Sequence, residues 1–323
     1  MAEARPGVTD DSRAGKLGHM ARYLGSGPYC YANCLAMAMA DGTDPGLLEV
    51  LTGAPFGLQL LAGKRPLFDP LGWDPEAGID AALDLLGWSC QRSHGGGAES
   101  APARLRHAVS DGPVLAGPVE LGLLGHHPGT RGAIGADHYL LVVAAEDGLV
   151  RFHDPHGHPY ATLPWPDFAA AWRGESIGYT PDEYVMRNGF RRARAVAPLD
   201  ALRASVPAAA GWLRGKPGLA PPGSVGGADA ALALADLAER GLTDGQWADL
   251  AWFAVRVGAR RLADAEYWLG QIGLASAATI AGRQARLVGG LQHPLVARDD
   301  EAVAAALRAL APTYHELAQA LSR

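Results

Sequence analysis

The chain has 323 residues, of which 48% are hydrophobic and 19% charged, and its formal net charge is −6. This composition excludes an intrinsically disordered chain, and the length fits one large domain or two ordinary ones. The acidic balance does not indicate a general surface for nucleic acid or for an anionic membrane. The three cysteines are too few for a disulfide scaffold, and the sequence lacks a signal-peptide core or an apolar run of about 18 residues. We therefore expect a cytoplasmic protein with reduced thiols.

The chain divides into three parts by composition and apolar periodicity. Residues 1–20 lack apolar periodicity and predict a flexible N-terminal tail. Residues 21–198 alternate short apolar runs with Gly and Pro, a pattern typical of a mixed α+β domain. Residues 199–323 contain a stretch rich in Pro and Gly at 212–229 and are otherwise rich in Ala, Leu and Arg, with apolar residues three and four apart. This last part predicts a helical C-terminal subdomain.

Individual elements can be placed in chain order. The periodicity predicts helices at about 30–41, 76–86 and 101–110, followed by strands at 113–115, 139–145 and 149–153. The last two strands flank Glu146-Asp147-Gly148, which predicts a hairpin in which Ala145 pairs with Leu149. In the C-terminal part, the final helix over 301–321 is predicted to break at Pro312.

Cys30 is the first candidate catalytic residue. A turn at residues 25–28 leads into the first helix and places Cys30 in its first turn. Unpaired N–H groups and the positive end of the helix dipole lower the pKa of a thiol there and can bind a developing oxyanion. Cys34, one turn further on the same face, is predicted to be more buried, and Cys90 to be structural. The alternative is that Cys30 and Cys34 are both packing residues.

The predicted hairpin supplies an imidazole and a carboxylate. Its register sets His138 opposite His156 and Asp154 opposite Leu140, so His138 and Asp154 are diagonal neighbours on one face. Their Cβ atoms are then roughly 7–8 Å apart, close enough for the carboxylate to orient the imidazole. With Cys30 they predict a Cys–His–Asp triad, in which the imidazole activates the thiol and the carboxylate fixes its tautomer.

These motifs resemble those of a known family. Cys30 followed by an Ala/Leu/Met helix, His138 followed by Tyr, Leu and Val, and Asp154-Pro155-His156-Gly157 are similar to the papain-like cysteine fold. The likeness is closer to the butirosin biosynthesis protein H-like family, because the length and the helical C-terminal portion also agree. The resemblance covers residues 23–194 best. It implies a papain-like fold, the triad Cys30, His138 and Asp154, and acyl transfer from a carrier-protein thioester to an amine.

One residue of the papain-like pattern is missing. That pattern has a Gln before the nucleophile as an oxyanion donor, whereas this chain has no Gln before Gln59. Ser26, Asn33 or backbone N–H groups at Tyr29 and Cys30 would have to serve instead. We predict that the substrate contacts Tyr29, Ser26, Asn33 and His156.

The expected reaction is cysteine-dependent acyl transfer. The Cys30 thiolate attacks a thioester of an acyl carrier protein or another donor, and a small amine acceptor resolves the acyl-Cys30 intermediate to an amide, or a hydroxyl to an ester. Thioester exchange needs no ATP, and no nucleotide motif is present, so no cofactor is predicted. One alternative is hydrolysis of a peptide or amide by the same residues. A second is a non-catalytic binding module.

Two other features of the sequence are candidate sites. Six histidines lie between 126 and 158, and a metal site of His153, His156 and His158 with Asp137 or His138 is conceivable. Their spacing matches no familiar metal motif, so no metal site is predicted. The basic stretch 187–194 fits either a docking patch for an acidic carrier protein or a solvated connection between the two parts.

Overall fold

The computed structural model describes Tyr23, residues 28–129 and residues 132–323. Over these residues the protein is α+β, 53% helical and 17% strand, with antiparallel sheets and a helical C-terminal part. The mixed fold class predicted from the sequence is therefore confirmed at this level. The predicted tail at residues 1–20, and Ser26 with it, lies outside the described residues. None of the helices formed by the described residues is long and apolar enough to span a membrane.

The elements fall into a sheet-containing part and a helical part. Helices of the first part are α1 (Cys30–Met39), α2 (Pro45–Thr52), α3 (Pro75–Leu85), α4 (Gly97–Ser110) and α5 (Trp165–Trp172). The strands are β1 (Gln59–Leu61), β2 (Arg65–Leu67), β3 (Trp88–Ser93), β4 (Val114–Glu120), β5 (Asp137–Glu146), β6 (Leu149–Asp154), β7 (His158–Pro164), β8 (Met186–Arg192) and β9 (Val225–Gly226). The remaining helices are α6 (Pro198–Trp212), α7 (Gly227–Glu239), α8 (Asp244–Ala248), α9 (Val255–Gln271), α10 (Ala275–Gly290), α11 (Gln292–Ala297) and α12 (Asp300–Leu321), and a π-helical segment, Asp249–Ala254, joins α8 to α9.

Local sequence signals explain several helix boundaries. Asp44 and Asp74 cap α2 and α3 by accepting hydrogen bonds from backbone N–H groups of the first turn, and a proline follows each of them. The predicted break at Pro312 is wrong, because α12 continues through it. Leu310 and Tyr314 on either side of the proline are buried, and this packing holds the helix together.

The larger sheet has the strand order β3-β8-β4-β5-β6-β7 and positions the candidate site on β5 and β6. The predicted β5–β6 hairpin is present, but Glu146 pairs with Leu149, so the turn has two residues and the predicted register at the turn is off by one. A bulge between Val142 and Ala144 then shifts the pairing back, and Leu141 lies opposite His153. The two deviations cancel at the end of the hairpin that carries His138 and Asp154.

The two parts of the chain share their hydrophobic cores. One core joins α1, α2 and α3 to α9, α10 and the end of α12, and a second packs β1 and Phe68 against α7, α9 and α12. A third lies on the other face of the large sheet, under α4 and α5. The strand pairing of β1 with β9 ties the parts together as well. The boundary predicted at residues 198/199 therefore does not separate independent cores.

Candidate functional site

Cys30 begins α1, as the sequence predicts, and is half-buried. The carbonyl oxygen of Tyr29 accepts hydrogen bonds from the backbone N–H and the Nδ2 of Asn33, which fixes the start of the helix. Cys34 is fully buried, as expected, and its thiol lies 3.5 Å from the carbonyl oxygen of Tyr139. Helix α1 thus lies against the first half of β5.

The environment of the Cys30 thiol opposes ionisation. Burial raises its pKa, and the carboxylates of Asp137 and Glu49 raise it further, while the backbone N–H groups of Tyr31 and Tyr139 lower it by less. The sequence-based expectation that the helix N-terminus lowers the pKa of the Cys30 thiol is therefore wrong in this structure. A helix dipole contributes only about 0.3–1 kcal/mol, less than the cost of burying an anion beside two carboxylates.

His138 and Asp154 form a buried pair. The Nε2 of His138 lies 2.8 Å from Oδ1 of Asp154, so the hairpin brings these two predicted residues together. Successive side chains of β5 point to opposite faces, and Tyr139 packs in the core that contains α1 while Leu140 packs in the core under α4 and α5. His138 therefore points away from α1. Among the described residues, no hydrogen bond joins Cys30 to His138, so the structure links only two members of the predicted triad by a hydrogen bond.

Asp154 has two further imidazole partners, His126 and His127, which the sequence places in the same cleft or in solvent without a contact to Asp154. The Nε2 atoms of His126 and His127 lie 2.7 and 2.6 Å from Oδ2 of Asp154, and the backbone N–H of His156 donates to Oδ1 at 2.7 Å. Burial alone would raise the pKa of Asp154, but the hydrogen bonds from the three imidazoles hold it far below its usual value. Asp154 is therefore an anion at any physiological pH.

His156 completes the group at its solvent-exposed rim. Its ring packs against that of His138 with centroids 4.3 Å apart and the ring planes inclined by 49°. Burial of the ring, then the charge of His138, lowers the pKa of His156 to about 4, so its imidazole is neutral near pH 7. We refer to His126, His127, His138, Asp154 and His156 as the histidine cluster.

On the α1 side of β5, a polar network surrounds Asp137. Its carboxylate accepts a hydrogen bond from Tyr179, whose hydroxyl lies 3.1 Å from that of Tyr139. Tyr139 in turn donates to Glu76. Glu76 also pairs with Arg187, a member of the basic stretch, which is buried rather than a solvated connection. The other arginines of the stretch, Arg191, Arg192 and Arg194, are exposed, so only the charge of Arg187 is neutralised inside the protein.

The C-terminal helices support the start of α1. Tyr29, predicted to contact substrate, is fully buried, and its hydroxyl donates to Asp264 of α9 at 2.9 Å, so its side chain is held inside the protein. Arg261 of α9 is also buried and donates to Glu49 at 3.1 Å and to the hydroxyl of Tyr31 at 3.2 Å. These contacts give the helical part a direct role in positioning the segment that carries Cys30.

A groove runs between α1 and the β6–β7 turn. Asn33, Asp154 and Arg260 line it, together with Met37 and Gly157. Of the residues predicted to contact substrate, Asn33 lines this groove and His156 lies at the rim of the histidine cluster. Ser26 lies outside the described residues.

The C-terminal helices match a known family. Residues 221–322 match the family described as the YobF C-terminal domain. This segment is similar to YobF. The chain is also 32% identical over 161 residues to the uncharacterized protein YobF of Bacillus subtilis (strain 168), a match that covers 49% of this chain and 52% of that protein. The chain thus spans about half the length of this curated relative. Arg261 and Asp264, which support α1, lie inside the YobF-like segment.

Proposed function

We propose that the protein is a papain-like cysteine enzyme that transfers an acyl group from a thioester donor, such as an acyl carrier protein, to a small amine through Cys30. The observation that carries the proposal is the buried His138–Asp154 pair, with 2.8 Å between Nε2 and Oδ1. This pair stands at the start of the strand against which α1 presents the thiol of Cys30. A helix-start cysteine and a carboxylate-bound imidazole are the parts that this chemistry needs.

The reaction divides into two steps that each use these residues. The imidazole of His138 takes the thiol proton, and the Cys30 sulfur attacks the donor carbonyl, forms a new thioester and releases the donor thiol, which receives the proton. An amine then attacks the acyl-Cys30 carbonyl, gives its proton to the imidazole and leaves as an amide, while the sulfur recovers a proton. Asp154 stays ionised throughout, because its pKa is far below its usual value, and stabilises the imidazolium.

Backbone N–H groups near the Cys30 sulfur stabilise negative charge at that position. Those of Tyr31 and Tyr139 face Cys30 and lower its pKa, so they favour negative charge at this position. Neither of these N–H groups depends on the Gln that precedes the nucleophile in the papain-like pattern and is missing before Cys30 in this chain.

The proposal requires a rearrangement around the start of β5. The thiol and the imidazole lie on different sides of this strand, and the thiol is protonated because its pKa is raised. Catalytic hydrogen bonds are often long or misaligned before substrate binds and tighten in the complex. We propose that donor binding in the groove lined by Asn33 and Asp154 shifts the start of α1 and the His138–Asp154 pair relative to each other, so that the imidazole reaches the thiol while it stays bonded to Asp154.

The test uses a defined thioester, acetyl-N-acetylcysteamine, followed by an amine chase. Intact mass spectrometry is expected to detect one acetyl group per chain, which is lost when a primary amine is added and appears as the acetamide. The Cys30→Ala variant is expected to stay unlabelled, whereas Cys90→Ala, a matched substitution of another half-buried thiol, is expected to label normally. Label that persists in Cys30→Ala would refute the assignment. Release of free acetate with no effect of the amine would identify a hydrolase.

A further inference from the structure

The histidine cluster brings four potential metal ligands together. One ligand atom each from His127, His138, Asp154 and His156 lies within 4.8 Å of all the others. The four residues come from the segment after β4, from β5, from β6 and from the β6–β7 turn. Residues up to 29 positions apart, from three separate segments of the chain, thus meet at one point, which is why no local sequence spacing indicated the site.

The chemistry of these four groups suits a divalent transition metal. Three imidazoles and one carboxylate form a common tetrahedral ligand set for Zn²⁺ and related ions, with metal–ligand bonds of about 2.0–2.2 Å. Ligand atoms of such a tetrahedron are about 3.3–3.5 Å apart. The Nε2 atoms of His127 and His138 lie 2.6 and 2.8 Å from the two Asp154 oxygens, and the four ligand atoms lie within 4.8 Å of one another, so tetrahedral coordination requires shifts of about an ångström.

Charge and access also favour a cation. Asp154 contributes a carboxylate, the anionic ligand of the set, beside three imidazoles. His127 is partly accessible and His156 is exposed, which gives an ion a path from solvent. His126 lies outside the four but still binds Asp154, and such an imidazole holds a carboxylate ligand in place.

Orienting one catalytic histidine does not require this arrangement. A single carboxylate is enough to orient His138, yet Asp154 binds two further rings. A site shaped for an additional ligand accounts for these extra imidazoles.

We propose that His127, His138, Asp154 and His156 bind one divalent transition-metal ion, with Zn²⁺ as the representative, and that the ion blocks acyl transfer by occupying His138 and Asp154. On binding, each ligating ring nitrogen must offer a free lone pair, so a proton on that nitrogen moves to the other ring nitrogen or is released to solvent. The binding part of this inference is independent of the proposed function, whereas the blocking part rests on it.

Calorimetry and Co²⁺ spectroscopy on the full chain test the binding. After chelator treatment and desalting, Zn²⁺ is expected to bind at one ion per chain, and Co²⁺ to give the visible bands of tetrahedral coordination. His127→Ala and His156→Ala are each expected to weaken binding at least tenfold; His156 is exposed, so its loss leaves the fold intact. His315→Ala, on the exposed side of α12, is the matched control and should bind normally. Absence of stoichiometric binding, or binding unaffected by both cluster variants, would overturn the inference.

Separate measurements distinguish the two proposals. Cys30→Ala is expected to bind Zn²⁺ as the unmodified protein does, because the thiol is not a ligand; loss of binding in this variant would overturn the ligand set. Zn²⁺ is expected to suppress acetyl labelling of Cys30 over the same concentration range in which it binds, and a chelator to restore labelling. Labelling that is insensitive to bound Zn²⁺ would refute the blocking part. If no labelling occurs under any condition, the proposed function fails and the binding result still stands.

Discussion

Asp154→Asn tests the carboxylate at the centre of the histidine cluster. The amide oxygen can still accept from His138 and from the His156 backbone, but an NH₂ group replaces the oxygen bound by His126 and His127. Hydrogen bonds to a charged group contribute about 1.5–3 kcal/mol each, so losing two lowers the free energy of unfolding by about 3–6 kcal/mol. The lower end applies if either ring changes tautomer and accepts from the new amide.

Urea unfolding followed by tryptophan fluorescence at pH 7 measures this loss. Asp147→Asn makes the same chemical change in the exposed turn of the same hairpin, and there the free energy of unfolding is expected to change by less than about 0.5 kcal/mol. The folded pKa of Asp154 is below its unfolded value, so its stabilisation is complete above about pH 4 and is lost as the pH falls below that value. The Asn variant should lose less stability over that acidic range. A variant as stable as the unmodified protein at pH 7 would refute the four-donor description of Asp154.

Three further predictions follow from the neighbouring contacts. Arg261→Met leaves buried carboxylates without their partner and should lower the free energy of unfolding by about 3–5 kcal/mol. Arg308→Met, at an exposed ion pair, should lower it by less than about 1 kcal/mol. Equal effects of the two substitutions in urea unfolding would contradict this prediction. Asp137→Asn removes a negative charge beside Cys30 and should speed iodoacetamide alkylation of that thiol at pH 8, measured by peptide mass spectrometry; a slower rate would contradict the electrostatic account. His138→Gln should slow acetyl labelling of Cys30 by about 10²–10⁴-fold, and unchanged labelling would exclude His138 as the base.

The sequence was sufficient for the parts of the site that depend on local pattern. A Gly- and Pro-containing turn before an Ala-rich run gives a helix that begins at Cys30. The spacing of His138 and Asp154 along a hairpin gives their contact. The predicted contact is correct because two deviations cancel: the turn is one residue shorter than predicted, and a bulge in β5 restores the register. The bulge falls in an uninterrupted apolar run, where no change in polarity marks it.

Other features depend on packing that the sequence pattern does not contain. Strand β5 is apolar on both faces, so its pattern does not say which face α1 covers, and the side of Cys30 relative to His138 could not be derived. The contacts of His126 and His127 with Asp154 depend on the path of an irregular segment across the sheet. The burial of Arg187 could not be predicted from its basic neighbours, because its partner Glu76 is 111 residues away in the chain.

Peptide mapping of the acyl-enzyme is the most direct test of the proposed function. The full chain is incubated with acetyl-N-acetylcysteamine, quenched in acid and digested, and each of the three cysteine-containing positions is examined. Acyl transfer through Cys30 predicts the acetyl group on Cys30 alone, and its disappearance on addition of a primary amine with formation of one equivalent of amide. Acetylation of Cys34 or Cys90 in place of Cys30, or no acetylation of any cysteine, would contradict the account.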